Sequence, residues 1–185
     1  MTLQEMKEKI LTLIEEADST NPYLTKDPDI EAKLNFVINQ IMYELSRVKK
    51  IPDYTELEVT KDNLIKFEDI DTSYEIYQLD VVKGIKFEYK AQGTIIKCLE
   101  DGNIEIEYFR YPERINKKTN NTYEFELSSD VLECMPYGVA ADVLKSDVSN
   151  AYGNVYAQRY EKMKQEIDIR YNTGSIEFEG DAEWL

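Results

Sequence analysis

Residues 127–172, LSSDVLECMPYGVAADVLKSDVSNAYGNVYAQRYEKMKQEIDIRYN, decide the architecture, because they read as two amphipathic helices joined by a short polar break. In the first, Val131, Leu132, Met135, Val139, Val143 and Leu144 recur at helical spacing, with Asp130, Glu133, Asp142 and Lys145 between them. Ser128, Ser129 or Asp130 offers a short side-chain oxygen to the unpaired amides of the first turn. Pro136 falls within the first turns, so its missing amide and its ring predict a kink or a late helix start rather than a break. In the second, Val155, Tyr156, Tyr160, Met163, Ile167 and Tyr171 form a stripe, against a solvated face of Arg159, Glu161, Lys164 and Glu166.

Working outward, residues 2–17 carry Leu3, Met6, Ile10, Leu13, Ile14 and Ala17 at helical spacing. A loop with Asn21-Pro22 follows. Asp27-Pro28 then places an acid before a proline at the first helical position, where the missing amide costs nothing. The helix it opens presents Ile30, Leu34, Val37, Ile38, Ile41, Met42, Leu45 and Val48 on one face and ends at Ile51-Pro52-Asp53.

From about residue 57 to 125 the period changes to alternation, with β-branched and aromatic residues prominent. Strands are expected at 57–60, 64–68, 75–82, 85–89, 94–99 and 104–111, and Asp101-Gly102 reads as the tight turn of a hairpin between the last two. Ile104, Ile106 and Tyr108 share one face, and Glu105, Glu107 and Phe109 the other. A wet sheet face explains the acids, and a partner surface explains the aromatics. The order helix, helix, strands, helix, helix gives the expected fold class: α+β, mainly α, a four-helix bundle with an antiparallel β insertion between helices 2 and 3. Residues 1–172 are expected to form one domain, followed by an extended tail at 173–185.

The formal net charge of -15 argues against gripping nucleic acid through its phosphates, which takes Lys and Arg. It is compatible with a surface past which DNA slides without sticking. The N-terminus lacks the pattern of a signal peptide, and no apolar run reaches the ~18 residues of a spanning helix. Cys98 and Cys134 each sit in apolar surroundings and read as buried free thiols.

Without a single histidine, His-based triads, His general bases and the usual zinc sites are excluded. No glycine-rich phosphate loop and no cysteine metal motif occurs, so neither catalytic residue, metal site nor cofactor is expected. Acids such as Glu15, Glu16 and Asp18, or Asp69 and Asp71, fit solvated faces better than a Mg²⁺ site. Lys117-Lys118 makes a small basic spot only. Tyr152, Tyr156 and Tyr160, spaced by four, make a ridge that packing within the subunit and an intersubunit seam explain equally well. The segment 173–185, TGSIEFEGDAEWL, has no Lys or Arg but carries the only Trp of the chain. A loose terminus has no need of Trp and Phe, whereas one that docks into a groove or adds a strand to another chain does.

The order of elements resembles that of the head-tail connector (adaptor) proteins of tailed bacteriophages. The likeness is carried by Met135-Pro136-Tyr137-Gly138-Val139-Ala140-Ala141 with Leu144 and Asp147, by Ala157-Gln158-Arg159-Tyr160-Glu161, and by the run Ile104 to Pro112, IEIEYFRYP. It extends over most of the chain as architecture and rests on packing motifs. It implies a non-catalytic virion protein of the neck between head and tail, present in the host cytoplasm during assembly. Such a protein forms a homo-oligomeric ring of about twelve copies between the portal protein and a tail or stopper protein. DNA passes through the ring without specific binding, and no membrane is involved. Ile176, Phe178, Trp184 and Leu185 are then the expected portal-binding residues, and Tyr152, Tyr156, Tyr108 and Phe109 the intersubunit ones. The competing reading is an acidic binding module, an inhibitor or DNA mimic, acting on a basic protein.

Overall fold

The computed structural model describes residues 1–66, 70, 73–90, 95–145 and 151–172. Among the described residues, four helices, α1 (Leu3–Leu13), α2 (Pro28–Val48), α3 (Ser129–Leu144) and α4 (Ala151–Asn172), flank six strands in the sequence: β1 (Ile51–Val59), β2 (Leu64–Lys66), β3 (Ile76–Lys83), β4 (Phe87–Lys90), β5 (Ile95–Cys98) and β6 (Gly102–Arg110). Both N-terminal helices start where their caps dictate. The Thr2 hydroxyl accepts from the Glu5 amide while the Glu5 carboxylate takes the Thr2 amide at 2.9 Å, a reciprocal capping box. Asp27 accepts from the amides of Asp29 and Ile30, with Pro28 in the first turn.

α3 is the hub of the helical part, packing against α1, α2 and α4. Nine of its 16 residues are buried, so apolar contact on several sides carries the helix through Pro136, although an interior proline costs an isolated helix ~3 kcal/mol. There is thus no late start: the helix begins at Ser129. Gly138 is where α3 lies closest to its neighbours. A Cβ there would stand 2.8 Å from the Tyr160 ring and 3.1 Å from Ile41, so only glycine admits this approach of α4 and α2.

The β part departs from expectation. Instead of a single insertion on a mainly α four-helix bundle, the strands form two three-stranded antiparallel sheets, ordered β1-β6-β3 and β2-β5-β4. They close on a core of their own that includes Ile65, Ile96, Cys98, Ile104, Ile106 and Tyr108. The alternating apolar faces bury against each other rather than against helices, which is why the helix-bundle expectation is corrected. The helices are not an even four-member bundle either, since the other three gather on α3. The Asp101-Gly102 turn joins strands of different sheets and is no hairpin. Gly102 still uses its freedom there, at φ +148°, and Asp101 accepts from the Lys61 amide at 2.7 Å. The strands occupy 51–110 and not 57–125. Ile51-Pro52-Asp53, expected only to end α2, opens β1, the long partner of β6.

Residues 111–128 belong instead to the helical core. Ile115, Phe125 and Leu127 are buried in it, and buried Asn39 of α2 clamps Ile115 by two hydrogen bonds, Nδ2 to the carbonyl at 2.7 Å and the amide to Oδ1 at 2.9 Å. A polar and aromatic seam joins the two cores. Tyr43 stacks on Tyr111 at 4.4 Å between ring centroids, Tyr77 donates to the Ser46 carbonyl at 2.9 Å, and Arg47 bonds the Tyr111 hydroxyl. Arg110 pairs with Asp53 at 2.8 Å and Glu126 at 2.7 Å while lying over the Tyr74 ring. Burial works against the Arg110 charge, but its hydrogen bonds to Glu126 and Asp53 raise its pKa above the ordinary value.

Candidate interaction surfaces

Among the described residues no group of three or more His, Cys, Asp or Glu side chains is arranged to hold a metal ion. Cys98 and Cys134 are free and buried in separate cores. Burial pushes the Cys134 thiol up to about 12 and Cys98 upward as well, the opposite of a reactive cysteine. No helix of the described residues is long and apolar enough to cross a membrane.

The tyrosine ridge on α4 is not uniformly buried. Tyr160 is 5% exposed, wedged against Gly138, and burial drives its pKa far upward. Tyr156 is half-buried and donates to the Leu13 carbonyl at 2.7 Å, satisfying an end group of α1. Both are engaged within the subunit. Tyr152 stacks on the Tyr156 ring at 6.5 Å between centroids and is nonetheless 62% exposed, as are Val155 and Ile169 over more than half of their surface. At 100° per residue these three fall within an arc of about 100° beside the buried face. Val155 was expected on the core stripe; Tyr160, Ile167 and Met163 fill it without Val155. Arg159 is exposed, as expected of the solvated face, and lies over the Tyr137 ring, whereas Lys164, expected on that face too, is half-buried and ties α4 to Glu44 of α2 at 2.7 Å.

Tyr108 is 3% exposed inside the sheet core and presents nothing to a neighbouring chain. Phe109 lies half-buried on the opposite face under the Lys50 ammonium, 4.5 Å from its ring centroid. That face is strongly acidic. Pairing places Glu56 directly opposite Glu105 and Tyr54 opposite Glu107. Like charges in register disfavour the sheet. Lys83 offsets this by pairing with both Glu105 and Glu107, and those hydrogen bonds lower the Glu107 pKa. Tyr54, 65% exposed, stands among these acids.

Two grooves flank the helices. One, about 830 Å³, runs between α1, α3 and α4 past Leu13, Pro136, Tyr137 and Met163. The other, about 920 Å³, lies between α1, the 23–28 loop, the first half of α2 and the 114–117 loop. Ile176, Phe178, Trp184 and Leu185 fall outside the described residues, as do Asp69, Asp71 and Asp147. Nothing in the sequence pointed to either groove, because each gathers residues from segments far apart in the chain. No protein-family model matches this chain, and none of the curated proteins matches it.

Proposed function

We propose that this chain is a structural subunit that assembles with its own copies into a ring joining a bacteriophage portal to the tail, with no catalytic role. The observation that carries the reading is the outward set Tyr152, Val155 and Ile169 on α4. The helical core is complete without these side chains, yet they keep 57 to 62% of their surface exposed. Scattered exposed apolar residues are ordinary, but a set along one arc of a long helix is what a subunit seam uses. The segment 173–185 reaches the portal through Ile176, Phe178, Trp184 and Leu185. The net charge of -15 suits a channel along which DNA moves without adhering. Binding of the purified chain to an isolated portal ring, followed by co-sedimentation, tests the reading. Wild type is expected to travel with the ring, and Val155→Asp with Ile169→Asp to lose cooperative loading. Failure of the wild type to bind any portal would sink the proposal.

The acidic sheet face supports a second reading, an acidic module that occupies a basic protein. Tyr54 with Glu56, Glu105 and Glu107 offers an aromatic anchor ringed by charge. Saturable binding to a basic partner, abolished by Glu56→Lys and Glu105→Lys and independent of any ring, would favour this reading over the first.

A further inference from the structure

The groove between α1 and the first half of α2 is unusual for a chain of this charge. Its charged lining is Lys7, Arg114 and Lys117 against Glu31 alone, three cations to one acid, in a protein with net charge -15. Leu24 and Phe36 line it with 43% and 57% of their surface exposed, and its volume of about 920 Å³ suits a peptide side chain or two. The segment 173–185 has the complementary composition: Glu177, Glu179, Asp181 and Glu183, no Lys or Arg, and Phe178 and Trp184 as apolar anchors. We infer that this groove docks the 173–185 segment of a second copy of the chain, its acids meeting Arg114 and Lys117 and its aromatics covering Phe36 and Leu24.

Helix geometry favours the second copy over the same chain. Tyr160 and Ile41 meet beside Gly138, and Lys164 pairs with Glu44, so α4 runs along α2 in the same direction. From that pair, Asn172 lies eight residues onward and Phe36 eight residues back, a separation of roughly 24 Å along the axis at 1.5 Å per residue. Phe178, six residues past Asn172, spans at most about 20 Å when fully extended. It therefore falls short of Phe36 in its own chain, and although Trp184, twelve residues past Asn172, spans up to about 40 Å, only a neighbour's groove can seat Phe178 and Trp184 together over Phe36 and Leu24. A contact of this kind, one end of a subunit in a different surface of the next, is heterologous and propagates from copy to copy. It requires no portal and describes free copies, in which Phe178 and Trp184 are not yet engaged by one, so it stands or falls separately from the proposed function.

The single Trp makes the test direct. Selective excitation of Trp184 in the full chain, from sub-micromolar to high-micromolar concentration, should show its emission moving to shorter wavelength as copies associate. Arg114→Glu combined with Lys117→Glu should raise the midpoint concentration about tenfold or more, and Phe36→Ser should do the same. All three side chains are exposed, and unchanged circular dichroism and melting would verify that the variants fold. Emission that stays at the solvent-exposed wavelength at every concentration would overturn the inference. So would a short-wavelength emission independent of concentration, which means docking within one chain, or a midpoint that the groove variants leave in place.

Discussion

Replacing Asp130 with Asn tests how α2 and α3 are tied together where the helical core gives way to β1. The carboxylate takes the Lys49 ammonium at 3.1 and 3.3 Å, the Ser128 hydroxyl at 2.6 Å and the Val131 amide at 3.0 Å. Burial alone would push its pKa up, but these donors outweigh burial and hold it at about 2, against an ordinary 3.8. The folded value is depressed, so the ionised group stabilises the fold fully above pH 3.8 and loses that contribution as pH falls through about 2. At ~1.4 kcal/mol per pH unit the gap corresponds to about 2 kcal/mol at neutrality, with roughly half remaining near pH 3. The side chain is 23% exposed, so little of this is lost to solvent screening. Urea denaturation of wild type and Asp130→Asn at about pH 7, 5 and 3 is the assay. The stability difference should be about the same at the two higher values and shrink at the lowest. A difference that does not change with pH, or none at neutrality, would mean that the ionised Asp130 carboxylate does not hold the two helices together.

Gly138→Ala should destabilise by ~1–3 kcal/mol in urea melts, because the new methyl meets the Tyr160 ring at 2.8 Å. A stabilised variant, reflecting the ~1 kcal/mol helix-propensity gain alone, would contradict the packing. Tyr156→Phe removes the hydrogen bond to the Leu13 carbonyl and should cost about 1 kcal/mol in the same assay. Both thiols should be inert to an aromatic disulfide reagent in the native protein and react on unfolding, since Cys98 and Cys134 are 0% exposed. Immediate reaction of either would place it outside the cores described.

Where one residue's chemistry acts on its immediate neighbours, the sequence was readable. Asp27-Pro28 marks the start of α2, and the alternation in β6 puts Ile104, Ile106 and Tyr108 inward. Tertiary contact decided the rest. Asp101-Gly102 has the residues of a tight hairpin, yet the strand after it pairs with β1, about fifty residues earlier, and with β3, so that its Ile104, Ile106 and Tyr108 enter the core between the sheets. Ile115, in a loop that looks wholly polar, is buried because Asn39 clamps its backbone from α2. Tyr152, Tyr156 and Tyr160 share a spacing but not a fate. Only the position of α1 and α3 distinguishes them. The basic groove was invisible for the same reason, since Lys7, Arg114 and Lys117 meet only in the folded chain.

Electron microscopy of the purified chain mixed with a portal ring shows whether its copies close into a neck. A second ring of this protein, stacked coaxially on the portal with an open channel, is expected. Portal rings that stay bare while this chain remains monomeric at saturating concentration would contradict it.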